Sequence, residues 1–246
     1  PHAHAKIANI DDTLARAAPG VLLILTGDDV VSEDIGAMPC MFPVTNLDGS
    51  ARGETYRPLL AQNKVRHVGE PVAFIVAETL TQARDAAELI EVDYTILPST
   101  TDTYRSSLNG AAELYDDIDN NVCFNWGKGQ QDETEAAFAK SSHITSLELI
   151  NNRIVVNPME PRSAIADYDA TADKSTLYTS SQGTHGIRNT IADNILKMDK
   201  EKLRVVTGDV GGGFGMKIFT HPEQPLAVWA AKMRGFYKWV KRTHMI

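Results

Sequence analysis

Two cysteines in 246 residues, Cys40 and Cys123, are too few and too far apart to staple a fold or build a thiolate metal site. Their expected state is the reduced thiol of a cytoplasmic protein. Long apolar runs are missing too. No stretch reaches the ~20 residues of a membrane-spanning helix. Basic residues are outnumbered 24 to 32, and the net charge of −8 argues against a nucleic-acid partner. Internal repeats and low-complexity segments are lacking. What is there is 43% hydrophobic, enough for a sizeable core. The length suits one large domain or two small ones.

The first half alternates strand and helix signals. Residues 1–10 read as a strand with His2 and His4 on one face. A metal pair there would lack a third ligand. A short helix is expected over 10–17, ended by Gly20, and a buried strand over 21–26 (VLLILT). Residues 28–57 read as a long polar loop. A buried strand over 72–77, a helix over 78–89 with Thr79 as a cap, and an alternating strand over 90–97 make a βαβ-sized unit. Residues 98–121 are rich in Thr, Ser, Asp and Asn and read as a linker. Their acidic group, Asp116, Asp117 and Asp119, lacks the glycine and glutamate of a calcium loop and reads as solvated.

In the second half, helices are expected over 131–139, 184–196 and 225–233. Ile187, Ile191 and Ile195 mark the buried face of the second. Strands are expected over 142–151 and 152–157, adjacent and able to pair with one another, in a hairpin of 164–168 with 175–179, over 203–207, and over 238–241. The most distinctive stretch follows the 203–207 strand: residues 208–217, GDVGGGFGMK. Three successive glycines leave the main chain uncovered and let a ligand approach it. Exposed N–H groups in such a loop can hold anionic oxygens. A dinucleotide fingerprint fails, because Met216 stands where the last glycine would be. A P-loop fails, because Ile218 follows Lys217 where Ser or Thr is required. The loop alone reads equally as a strand-to-helix turn or a ligand cradle.

GDVGGGFGMK resembles the molybdopterin-contacting loop of the xanthine dehydrogenase, aldehyde oxidase and aerobic carbon monoxide dehydrogenase family. PHAHAKI (1–7), VGEPVAFIVAET (68–79), DAAELIEVDYTILP (85–98), MEPR (159–162) and TSSQGTHGIR (179–188) resemble stretches of that family's large subunit, in the same order. The resemblance implies an α/β (α+β) chain: an α/β hammerhead domain over 1–105, a linker over 106–121, and the first part of a molybdopterin-binding domain over 122–246. It also implies a cofactor contact made by Gln182, Gly183, Gly212, Gly213, Phe214 and Gly215. In this picture Gln182 donates a hydrogen bond to an oxo group on molybdenum, Phe214 lies beside the metal, and the pterin rather than the protein ligates it.

The implied cofactor is molybdopterin, as the cytosine dinucleotide in a bacterial member. Iron–sulfur clusters and FAD would sit on partner subunits or domains. The implied chemistry is hydroxylation of an electrophilic carbon, or oxidation of carbon monoxide. The glutamate base of the family belongs to a segment beyond Ile246, so no complete catalytic site is assignable in this chain. Glu160 and Arg162 are expected to form a local ion pair, and His185 to be solvated or capping. Purine-binding members carry Glu after the loop lysine. Ile218 cannot hydrogen-bond a purine edge, which disfavours xanthine, and the following FTHPE (219–223) resembles the carbon monoxide or aldehyde dehydrogenase branches. Expected partners are iron–sulfur and flavin subunits, the C-terminal remainder of the large subunit and a small-molecule substrate, in an oligomer. Two other readings stay open: one half of a split subunit, and a cofactor-less scaffold that kept the fold.

Overall fold

The computed structural model of the chain describes residues 1–41, 43–234 and 239–242. Strand β1 (Ala5–Asp11) is the middle of a three-stranded sheet, flanked by β3 (Lys64–Val65) and β5 (Glu91–Ile96), both antiparallel to it. Strands β2 (Val21–Thr26) and β4 (Ala73–Ala77) form a separate antiparallel pair. Helices α1 (Thr13–Ala17), α2 (Gly27–Ser32) and α3 (Leu80–Glu88) connect and cover these sheets. Thr79 caps α3 as expected, its hydroxyl accepting from the Gln82 N–H at 3.2 Å.

Three expectations for this half need correction. The first helix starts later than residue 10, because Ile10 and Asp11 pair with Val92 and Glu91 in the sheet. The polar loop over 28–57 hides α2, a short helix held by a capping box in which Asp29 Oδ2 accepts from the Thr26 N–H at 2.7 Å. The βαβ-sized unit is not a parallel crossover. Its strands β4 and β5 lie in different sheets, so α3 bridges two antiparallel layers. Length alone cannot tell these connections apart.

The second half is built on a four-stranded sheet. Its strands are β6 (Ser163–Asp169), β7 (Lys174–Thr179), β8 (Leu203–Val206) and β9 (Trp239–Arg242), in the order β8-β7-β6-β9. The β6–β7 hairpin matches expectation, and β7 and β8 run parallel. The last strand is present as β9; Lys238, expected in it, lies outside the described residues. Helix α4 (Gln131–Lys140) buries none of its residues. Helix α5 (Thr184–Asn189) continues as a π-helical turn, Thr190–Ile195, and Ile187, Ile191 and Ile195 are all buried. Helix α6 (Glu223–Arg234) packs across β6 and β7.

The strands expected over 142–157 do not form. The segment is free of regular structure, and Leu147, Leu149, Ile150, Ile154 and Val155 stand 78–91% exposed. Alternation specifies a strand only where an edge can pair with it and a surface can cover its apolar side. Among the described residues no strand pairs with this segment, and its apolar side chains stay uncovered.

One core spans both halves. Leu25, Phe74 and Val76 from the β2–β4 pair pack with Leu226, Trp229 and Ala230 of α6 and with Ile195. The approach is close enough to exclude a side chain at Gly36, where a Cβ would lie 1.9 Å from the Asn194 carbonyl oxygen. The Gly36 N–H donates to the Ile195 carbonyl at 2.7 Å. Within the stretch 98–121 expected as a linker, the part around 115–118 packs against the first half. Lys64 Nζ meets Asp116 at 2.8 Å, Arg66 lies 4.5 Å over the Tyr115 ring, and Ile118 is 4% exposed. Asp116, Asp117 and Asp119 are all exposed, as composition suggested, with Asp116 reaching Lys64 from the surface. Among the described residues no helix is long and apolar enough to cross a membrane.

A shared core predicts shared stability. Leu226→Ala should cost about 2–5 kcal/mol, measured by denaturant unfolding. Amide exchange should rise in β2 and β4 as well as in α6. Loss of protection confined to α6 would mean that the halves are energetically separate.

Candidate functional site

Three loops converge at the end of the second sheet. Strand β7 ends at Thr179, whose hydroxyl donates to the Ser163 carbonyl at 2.6 Å and accepts from Gln224 Nε2 at 3.0 Å. Thr207, just past β8, donates from its hydroxyl to the Thr179 carbonyl and accepts from the Ser181 N–H. These bonds set Ser180, Ser181 and Gln182 beside the glycine loop.

Gln182 is the centre of the contact. Its N–H donates to the Lys217 carbonyl at 3.0 Å. Its side-chain oxygen Oε1 accepts from the N–H groups of Gly215 at 3.1 Å and Lys217 at 3.2 Å. Two donors on one side-chain atom fix which end of the amide is oxygen. The NH2 end is left as the group available to a ligand oxygen. Gly213 must be a glycine here, because a Cβ would lie 2.4 Å from Gln182 Oε1. Phe214 takes a left-handed backbone, φ 50°, between Gly212 at 94° and Gly215 at 90°, and its ring is 78% exposed. A bulky residue held at positive φ is a local strain of about 1–3 kcal/mol, of the sort that gathers at binding sites. The N–H groups of Gly212, Gly213 and Phe214 make no hydrogen bond to the described residues. Next to the Gln182 amide the loop thus holds three consecutive N–H groups without a partner among the described residues, those of Gly212 and Phe214 on partly or fully exposed residues and that of Gly213 on a buried one.

Gly183 stands apart from this cluster. Its N–H donates to Ser181 Oγ at 2.9 Å and it opens α5, with empty space where a Cβ would point. His185 is exposed on α5. His4 is held by the Pro98 carbonyl, 2.7 Å from Nδ1, and His2 packs edge-on to Tyr94 at 4.9 Å, so the two histidines serve different contacts. Among the described residues Cys40 and Cys123 form no disulfide.

The expected Glu160–Arg162 ion pair is replaced by two longer-range pairs. Arg162 Nε donates to Glu223 Oε1 at 2.8 Å, at the first residue of α6, where the helix dipole also favours a negative charge. Glu160 instead meets Lys217 at 2.8 Å, and the Lys217 side chain is fully buried. Glu160 Oε2 also accepts from the Gly211 N–H at 2.6 Å and from Ser180 Oγ at 3.0 Å. The Lys217 bond, then the Gly211 bond, hold this carboxyl below its ordinary range. Reading the chain locally missed the pair because 57 positions separate its members. The available signal was a lysine inside a glycine loop, which would need a carboxylate if buried. His221 closes the far end of the loop, with Nε2 donating to the Met216 carbonyl at 2.8 Å. Burial holds its imidazole below the ordinary range, so it is neutral at pH 7.

This site and fold define a class. Residues 114–243 match the molybdopterin cofactor-binding domain, and residues 1–98 match the a/b hammerhead domain of aldehyde oxidase and xanthine dehydrogenase. The chain belongs to that molybdopterin-binding family. Its relatives include the carbon monoxide dehydrogenase large chain of Afipia carboxidovorans, 32% identical over 98% of this chain and 30% of the relative. The nicotine 6-hydroxylase large subunit of Paenarthrobacter nicotinovorans is also 32% identical, over 98% of this chain and 29% of its own length. Among solved structures, quinoline 2-oxidoreductase from Pseudomonas putida 86 superposes with a TM-score of 0.83 at 32% identity. Carbon monoxide dehydrogenase from Oligotropha carboxidovorans reaches 0.87 at 31%. Each structural match covers 98% of this chain and 30% of the other. The chain spans about 30% of the length of these relatives.

Two outcomes follow from the geometry. Gly213→Ala should push Gln182 away and speed amide exchange at Gly215 and Lys217 about 10-fold or more, since two bonds of roughly 1 kcal/mol each are lost. Acid should loosen the site in two stages, because both shifted groups have folded values below their ordinary ones. The His221 contribution is complete above its ordinary 6.5 and fades as pH falls through its lowered folded value. The Glu160 contribution is complete above its ordinary 4.5 and is lost only below that, through its own lowered value. Exchange at Ile218–His221 should therefore rise at higher pH than exchange at Gly211.

Proposed function

We propose that this chain is the N-terminal part of the large, cofactor-carrying subunit of a molybdenum hydroxylase or dehydrogenase. The observation that carries the reading is the Gln182 amide, its oxygen taken by Gly215 and Lys217 and its NH2 free beside three unpaired loop N–H groups. A neutral donor set of this kind suits an oxo-metal group that needs orientation without added charge. Gln182, Gly212, Gly213, Phe214 and Gly215 would hold molybdopterin, in the cytosine dinucleotide form of bacterial members. Gly183 would contribute through the path of α5. When bound, the cofactor supplies oxygen transfer to an electrophilic carbon and takes up the electrons released. The residues of this chain orient it and shape one wall of its pocket. In this reading residues 1–105 are the hammerhead domain, 106–121 the connection and 122–246 the first part of the cofactor domain.

Iron–sulfur and flavin partners would carry the electrons onward. The general base would come from polypeptide that follows Ile246. The exposed apolar side chains of 144–155 support further polypeptide covering this face. Ile218 after the loop lysine argues against purines. Relatives at 32% identity are named for carbon monoxide and for nicotine, so overall similarity does not select among the other substrates.

The test is to read the gene past the Ile246 codon and to produce the continued subunit, or the neighbouring complementary chain, with its partners. The expected product contains molybdenum. Gln182→Ala in that product should keep the metal and lower kcat about 10²–10³-fold, as does removal of one preorganised donor elsewhere. A complete assembly that never contains molybdenum would refute the proposal and favour a scaffold.

A further inference from the structure

We infer that Glu160 and Lys217 form a positioning latch for the cofactor-facing amide of Gln182, an inference that rests on the function proposed above. The chain of contacts is short. Gln182 is held by the main chain of Lys217, through its N–H, its carbonyl and the neighbouring Gly215 N–H. The depth of that main chain is set by the Lys217 side chain, which is fully buried and ends on Glu160 Oε2 at 2.8 Å. The same oxygen accepts from the N–H of Gly211, at the start of the triple glycine, and from Ser180 Oγ, two residues before Gln182. The Glu160 N–H returns a bond to the Gly211 carbonyl at 3.3 Å. One carboxylate oxygen therefore ties together both ends of the glycine loop and the strand end that delivers Gln182.

Packing alone does not call for this arrangement. Lys217 is fully buried and Glu160 is 37% exposed, and even a fully buried ion pair is often replaced by apolar side chains of similar volume without loss of stability. What the pair adds is direction. An ammonium on a long flexible stem has a defined place only where its donors end on a fixed acceptor. Glu160 is that acceptor, and its own place is fixed by two further donors. Lys217 and Glu160 act through Gln182 and are positioning residues. The charge on Glu160 persists well into the acid range, consistent with a latch that stays closed at working pH.

Amide exchange on this chain tests the latch without cofactor. Glu160→Gln keeps the shape and removes the charge. It should speed exchange at Gly211, Gly215 and Lys217 about 10-fold or more, the loss of charge-assisted bonds, while exchange in β6 and β7 stays unchanged. If Glu160→Gln or Lys217→Met unfolds the chain, the paired variant Glu160→Met with Lys217→Met should recover the melting temperature but not the loop protection. Unchanged protection at Gly215 and Lys217 in Glu160→Gln, or full protection in the paired variant, would overturn the inference. In the molybdenum-loaded assembly Glu160→Gln should lower kcat more than it raises KM. Failure to load the wild type would count against the proposed function, while the exchange result would still decide the latch.

Discussion

A buried ammonium group must find a counter-charge, and Lys217 finds it on Glu160. That requirement organises the whole end of the second sheet. Glu160 comes from the extended stretch before β6, Ser180 from the end of β7, and Gly211 and Lys217 from the loop after β8. Without a common acceptor, three irregular segments of low intrinsic order would have little reason to stay in register. With it, the glycine loop can leave N–H groups unpaired and still be fixed at both ends. The free N–H groups of Gly212–Phe214 and the uncommitted NH2 of Gln182 are the consequence.

The second constraint is the shared core. Helix α6 begins at Glu223, paired with Arg162, and its next turns bury Leu226, Trp229 and Ala230 against the β2–β4 pair. Its other side, with Ala227, Val228 and Ala231, packs on the β6–β7 hairpin. The loop that carries Phe214 runs directly into this helix through His221 and Gln224, both of which bond back to the loop or to Thr179. The glycine loop is thus mounted on an element that both halves of the chain hold in place. A site needing sub-ångström placement benefits from such a mount.

Much of the fold was legible along the chain. The β6–β7 hairpin, the Thr79 cap, the isoleucine face of 187, 191 and 195, and the alternation of β5 all rest on contacts within a few residues or on a period. The misreadings share one cause. Residues 142–157 carry a strand pattern, but the pattern acts only where another edge and face meet it. The β4–α3–β5 unit has the length of a parallel crossover, yet its strands joined different sheets because β1 and β2 offered the edges.

The sequence by itself determined the chemistry on offer: a glycine loop with one bulky Phe214, an amide at Gln182, Ile218 in place of an acid, and a family resemblance along the whole chain. Those features are local, and local residue types suffice to display them. Only the tertiary structure decided how they are held. Pairing Glu160 with Lys217 rather than Arg162, turning the Gln182 oxygen inward, and joining the two halves on α6 all bring together residues tens of positions apart. Charge and hydrogen-bond partners are chosen by distance in space, and distance in space has no periodic trace in the order of residues.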